Sequence, residues 1–284
     1  MSTLTMHPIT GDLTTGDTAP RVGKMTITPE QAKAILADRN NHNRRVSPNV
    51  VARYARDMTN GDWLLNGDAV RFAADGTLLD GQHRLHAIAK AGVTIQTVVV
   101  WNLPVEAQAT MDDGRKRTMA NVLELAERPQ SAKTVASILR RAILWERGVV
   151  STGGSAAPSK SEMQRYLDEH PEVVEAATVA EHIRNSRGIR CAASTLGLAY
   201  YLFAAKSKPM ADQFFDSLRT GAGLEETSPI LVLRNKLVAE GSTRLATEQP
   251  EVLGWFIKAW NAHRAGRGIK LLRLKANETF PEPK

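Results

Sequence analysis

Cysteine is all but absent: Cys191 is the single one in 284 residues, so no disulfide can form within the chain. A reducing cytoplasm is the expected compartment, and a lone cysteine among apolar neighbours reads as packing. Aromatic residues are scarce at 5%, too few for a platform that stacks successive bases of a single strand. No apolar run approaches the roughly 20 residues of a membrane span; the stretches 98–101 and 197–205 are among the longest. A membrane partner is therefore not expected. No basic segment followed by an apolar run opens the chain, which predicts no secretory signal. A G-x-x-x-x-G-K-[S/T] loop is missing too, which excludes P-loop chemistry. Without a repeat period, a solenoid is also excluded.

Cations are in excess. Lys and Arg number 37 against 30 Asp and Glu, a formal charge of +7. Such a balance favours polyanionic partners, because each neutralised phosphate releases condensed counterions. The cations are grouped at Arg39, Arg44, Arg45, Arg53 and Arg56, and again at Arg115, Lys116 and Arg117. A last group, Lys258, Arg264, Arg267, Lys270, Arg273 and Lys275, has no acid between its ends. Together with Trp260 and His263 it forms the strongest candidate for backbone contacts to DNA, the alternative being a terminal helix with a solvated face.

Periodicity divides the chain into a flexible leader over 1–24, a mixed α/β domain over 25–128 and an all-helical domain over 129–284. The fold class is α+β. Thr28-Pro29-Glu30-Gln31 reads as a capping box with proline at the first helical position. Ser47-Pro48 starts a second helix with Val50, Tyr54 and Met58 as its buried stripe and Gly61 as its stop. The polar stretch 39–45 between them is expected to be an exposed loop. Strands at 69–73 and 77–79 flank Asp75-Gly76, a pair suited to a type I′ turn. After Gly81 the period lengthens, and Leu85, Ile88 and Ala89 mark a helix closed by Gly92. The β-branched run 95–101 predicts a buried strand. Short helices at 104–111 and 119–126 follow. Beyond them helices are expected over 161–169, 191–206, 211–218, 229–239 and 251–265, with Val135, Ile138, Leu139, Ala142 and Ile143 as another helical stripe. The Gly/Ser/Ala/Pro segment 151–159 reads as a linker with no packing capacity. A helical region of this size is also compatible with a homodimer.

The hairpin-to-helix corner carries the chemistry. A helix start leaves backbone N–H groups without intrahelical partners and bears partial positive charge. Gly81 lets a ligand approach the backbone. Arg84 can fork onto two phosphate oxygens, His83 can donate one more hydrogen bond, and Gln82 brings a neutral amide. Asp80 through Arg84 thus form a candidate phosphate site of the kind helix N-termini offer. The alternative is a plain capped turn, with Asp80 as the N-cap and Arg84 solvated.

The stretch Leu78-Leu79-Asp80-Gly81-Gln82-His83-Arg84-Leu85-His86-Ala87-Ile88 resembles the signature of the ParB/sulfiredoxin superfamily. It is most similar to the DGQHR-type branch found in phage and DNA-modification-linked proteins. The resemblance covers about residues 25–128, including the order of helix, hairpin, helix and strand. It implies that the corner holds nucleotide phosphates, with a nucleoside triphosphate and Mg2+ as the cofactors to expect. Partition proteins carry Gly-Glu-Arg-Arg where this chain has Gly81-Gln82-His83-Arg84, and sulfiredoxin carries Gly-Cys-His-Arg. Gln82 removes the reactive thiol of one relative, which excludes sulfinic-acid reduction. It also removes the carboxylate of the other, which weakens any carry-over of nucleotide hydrolysis. Gly81 and Arg84 match both branches.

Catalytic groups, if the protein is an enzyme, are to be sought elsewhere. Asp112 and Asp113, beside Arg115, Lys116 and Arg117, offer carboxylates for a metal next to cations for phosphate; a solvated loop is the alternative. Asp68 in Asn66-Gly67-Asp68 can aim at a ligand or simply make a turn. His83 and His86 are spaced to share a metal, but no third ligand is evident. Three functions fit these residues. The leading one is a phage-type ParB-like protein that binds nucleotide through the corner and DNA through Arg44, Arg45 and the other basic groups, for DNA handling or regulation. The second is a metal-dependent nuclease or nucleotide-dependent DNA-modifying enzyme. The third is a structural DNA-binding protein without nucleotide.

Overall fold

The computed structural model describes residues 19–41, 43–111, 118–125, 131–151, 153–186, 188–239, 249–275 and 278–284. Two compact units are resolved, one of Met1–Lys116 with Gly154–Glu162 and one of Arg117–Gly153 with Met163–Lys284. The architecture is mixed α+β, as the periodicity predicts. No helix among the described residues is long and apolar enough to cross a membrane.

The first unit is built on a four-stranded mixed sheet in the order β1-β4-β2-β3. Strand β1 (Arg21–Ile27) pairs antiparallel with β4 (Ile95–Leu103), which runs parallel to β2 (Ala69–Ala73). Strand β3 (Leu78–Asp80) closes the far edge, antiparallel to β2. Helices α1 (Pro29–Arg39), α2 (Pro48–Thr59) and α3 (Gln82–Ala91) complete the core, where Ala32, Ile35, Val51, Ala55, Met58, Leu85 and Ile88 meet Ile27, Val70, Leu78 and Val99.

The expected leader over 1–24 runs too far, because β1 begins at Arg21. Its buried residues are Gly23, Met25 and Ile27, whereas Val22 is 57% exposed. A glycine at the inward position hides the alternation. The position is small because the Trp101 ring fills it, 3.3 Å from where a Cβ would stand. Thr28 caps α1 as predicted: its Oγ1 accepts from Gln31 N at 3.2 Å and Gln31 Oε1 accepts from Thr28 N at 2.9 Å. On α2 the buried stripe is Val51, Ala55 and Met58, one residue round from expectation. Tyr54 lies at its margin, edge-on to Trp63 at 5.1 Å.

The hairpin turn is not type I′. Gly76 alone has positive φ, at +86°, while Gly76 N donates to Ala73 O and Ala73 N to Thr77 O. That is a three-residue loop ending in a left-handed glycine. Strand β4 alternates rather than being buried throughout, with Thr97 and Val99 inward. The helix expected over 104–111 is a 3-10 helix, Val105–Thr110.

The second unit is helical: α4 (Met119–Leu125), α5 (Ala132–Glu146), α6 (Lys160–Glu169, its first turn falling in the first unit), α7 (Val173–Arg184), α8 (Ala193–Thr220), α9 (Pro229–Ala239) and α10 (Gln249–Arg264). Met119 and Leu123 join its core, so α4 packs with the helices rather than with the sheet. The predicted stripe on α5 is buried throughout. Helix α7 shows little apolar periodicity in the sequence because its buried face is largely alanine: Val173, Ala176, Ala177, Ala180 and Ile183. The two helices expected around residue 208 join as α8 across non-helical backbone at Ser207, two residues before Pro209. Cys191 is buried, and burial pushes its thiol up to about 12, so it is protonated and packs as an apolar group.

The segment 151–159 is no inert linker. Residues from Gly154 onward belong to the first unit, and Ser159 is buried there.

Candidate phosphate-binding corner

Chain direction reverses at Gly81, between β3 and α3. Its φ is +106°, and a Cβ there would stand 3.0–3.2 Å from Val70 backbone and side-chain atoms. Left-handed backbone and close approach both demand glycine. Gly81 is itself the N-cap of α3, and no side chain caps the helix. Asp80 therefore does not serve as N-cap. The first turn of α3 keeps the donor-rich, partly positive character of an uncapped helix start.

Asp80 instead gathers arginines. Its Oδ2 accepts from Arg71 Nη1 at 2.5 Å and lies 3.6 Å from Arg84 Nη2. One carboxylate thus faces two guanidinium groups, leaving a net positive charge where its own charge would otherwise repel a phosphate. Arg84 is not simply solvated: its side chain is 13% exposed. Its Nη1 is buried with no hydrogen-bond partner. A buried guanidinium N–H without an acceptor is costly and calls for one.

Gln82 and His83 face a different task from the one predicted. Gln82 is 4% exposed and its Nε2 donates to Arg44 O at 2.8 Å, so its amide is committed to the protein rather than offered to a ligand. His83 Nε2 accepts from Ser47 N at 3.0 Å, which leaves Nδ1 as the donor of a neutral ring. Asn43 Nδ2 adds a bond to Leu78 O at 2.6 Å. Gln108 Nε2 bonds Leu79 O at 2.9 Å and Asn43 Oδ1 at 3.2 Å. The segment 43–47 is therefore fastened to the corner rather than loose, with Arg44 and Arg45 exposed on it.

Arg71, Asn43 and Gln108 were not singled out from sequence. A regular ladder from the turn pairs Arg71 with Leu79; a bulge between Arg71 and Phe72 moves it opposite Asp80. Asp68 is exposed at the start of β2 in an Asn66 turn, its N–H donating to Asn66 Oδ1 at 3.0 Å. The described residues show no contact between it and the corner. Asp112, Asp113, Arg115, Lys116 and Arg117 lie outside the described residues. Among those described, no group of three or more His, Cys, Asp or Glu side chains is placed to hold a metal.

No family model, curated protein or solved structure matches this chain.

In the second unit Arg264, Arg267, Lys270 and Arg273 are exposed. Arg264 lies over the Trp260 ring at 5.7 Å and donates to Lys284 O. Lys258 is paired with Glu278 at 2.5 Å, so the acid-free run meets an acid just beyond its end. Trp260 is fully buried and stacks on Phe203 at 4.5 Å, which takes it out of the surface expected to contact the DNA backbone.

Gly81→Ala places a Cβ against Val70 in left-handed backbone. The expected cost is on the order of 2 kcal/mol, read as a lower thermal midpoint. An unchanged midpoint would show that the corner tolerates a side chain.

Proposed function

We propose that this protein is a ParB-like, nucleotide-holding and DNA-engaging protein whose α3 corner grips phosphate. The observation that carries the reading is Arg84: a guanidinium tethered to Asp80 by one nitrogen, with the other buried and unpartnered, in the first turn of a helix that no side chain caps. A phosphate oxygen would satisfy that nitrogen through a charge-assisted bond, and the helix N-terminus would supply further donors. Asp80, itself paired with Arg71, holds Arg84 in place, while Gly81 sets the turn that starts the helix there.

The likeness of 78–88 to the DGQHR-type signature of the ParB/sulfiredoxin superfamily supports a nucleoside triphosphate as the phosphate-bearing ligand. Arg44, Arg45, Arg264, Arg267, Lys270 and Arg273, all exposed, supply sequence-independent contacts to DNA phosphates, in keeping with the charge of +7. DNA handling or regulation in a host cytoplasm is the role this reading implies.

Calorimetric titration with the four ribonucleoside triphosphates and Mg2+ tests the nucleotide half. At least one is expected to bind the native protein, with affinity falling ten-fold or more in Arg84→Ala, the loss of a charge-assisted pair worth about 1.5–3 kcal/mol. Absence of heat with all four would refute nucleotide binding. For DNA, neutralising Arg264, Arg267, Lys270 and Arg273 is expected to flatten the dependence of affinity on salt. An unaltered slope would place the contacts elsewhere.

A further inference from the structure

Residues 154–162 belong to the first unit although the chain on either side belongs to the second. Side chains of α2 fasten them. Arg56 donates from Nη1 to Ser155 O at 2.6 Å and from Nη2 to Ala157 O at 2.7 Å. Ser159 Oγ donates to Asp57 Oδ1 at 2.6 Å. Ser159 and Glu162 form a capping box at the start of α6: Ser159 N donates to Glu162 Oε2 at 2.7 Å, and Glu162 N to Ser159 Oγ at 3.1 Å. Glu162 also faces Arg56 Nε at 3.5 Å.

Asp57, Ser159 and Glu162 are all buried, at 6%, 6% and 4% exposure. Two buried carboxylates therefore share one partly exposed guanidinium, and Asp62 beyond α2 adds a third negative charge facing Asp57. Burial is the largest influence on Asp57 and favours its neutral form. The Ser159 hydroxyl and Arg56 oppose it; Glu162 and Asp62 reinforce it. The carboxyl is pushed up to about 6.

We propose that Asp57 and segment 154–162 form a proton-tightened clasp, held more firmly when Asp57 is protonated and loosened when it ionises. The sign follows from linkage. With the clasp open, Asp57 loses the cover of the segment and the Glu162 charge, so its titration falls back from about 6 toward its ordinary 3.8; closed, it holds its proton to about 6. Stability due to the proton is complete below the open-state value and is lost as pH rises through the closed-state value. The device thus responds to mild acid and decides whether this stretch stays on the first unit.

Amide hydrogen exchange of the full chain at pH 5 and pH 8, corrected for intrinsic rates, tests it. Residues 154–162 are expected to be several-fold better protected at pH 5, up to about ten-fold if opening returns Asp57 fully to 3.8. In Asp57→Asn the ratio is expected to fall to about one, since the amide does not titrate. Glu162→Gln keeps the capping box and removes one neighbouring charge, so the midpoint of the protection curve should move to lower pH. Equal protection of the native segment at both pH values would overturn the proposal. The native ratio persisting in Asp57→Asn, or an unmoved midpoint in Glu162→Gln, would do so as well.

Discussion

The corner depends on a close contact: Gly81 backbone pressed against Val70, in a conformation that only glycine adopts without strain. That contact lets an edge strand turn straight into a helix with no intervening loop. It places Asp80, the last strand residue, opposite Arg71 and one helical turn from Arg84. A side chain at 81 would press on Val70 in a strained backbone conformation and disturb the seating of Arg84 against Asp80. The electrostatics of the corner are thus set by a backbone dihedral.

Around that contact, polar side chains act as fasteners. Gln82, His83, Asn43 and Gln108 bind the 43–47 segment and the β3 carbonyls to one another. Strand β3 lies at the sheet edge, where unpaired carbonyls need partners, and Asn43 and Gln108 supply them at Leu78 and Leu79. Two of the five signature residues, Gln82 and His83, thus have structural duties on the loop side. The proposed phosphate holding is left to the α3 backbone and Arg84, and Asp80 acts through the arginines it pairs.

Much of this was legible in the sequence where local chemistry decides. Thr28-Pro29-Glu30-Gln31 specified its own cap, and the change of period after Gly81 located α3 between its two glycines. Elements whose signal lies in what a side chain lacks were hidden: Gly23 masked the alternation of β1, and the alanines of α7 muted its apolar face. Tertiary pairing was hidden too. The Arg71–Asp80 bond depends on a bulge, and the docking of 154–162 depends on Arg56 and Asp57 about a hundred residues away. A Gly/Ser/Ala/Pro composition describes how little a segment buries by itself, not what reaches out to hold it. Trp260 shows the converse, an aromatic beside basic residues that is spent entirely on the core.

The central claim is that the first turn of α3, with Arg84, receives phosphate oxygens. Backbone amide resonances of Gln82, His83 and Arg84, followed during titration with inorganic triphosphate, test it most directly. Saturable shifts are expected, centred on these three amides and on the Arg84 guanidinium, and lost in Arg84→Ala. Resonances that stay in place while the ligand is in excess, or shifts confined to other basic surfaces, would contradict it.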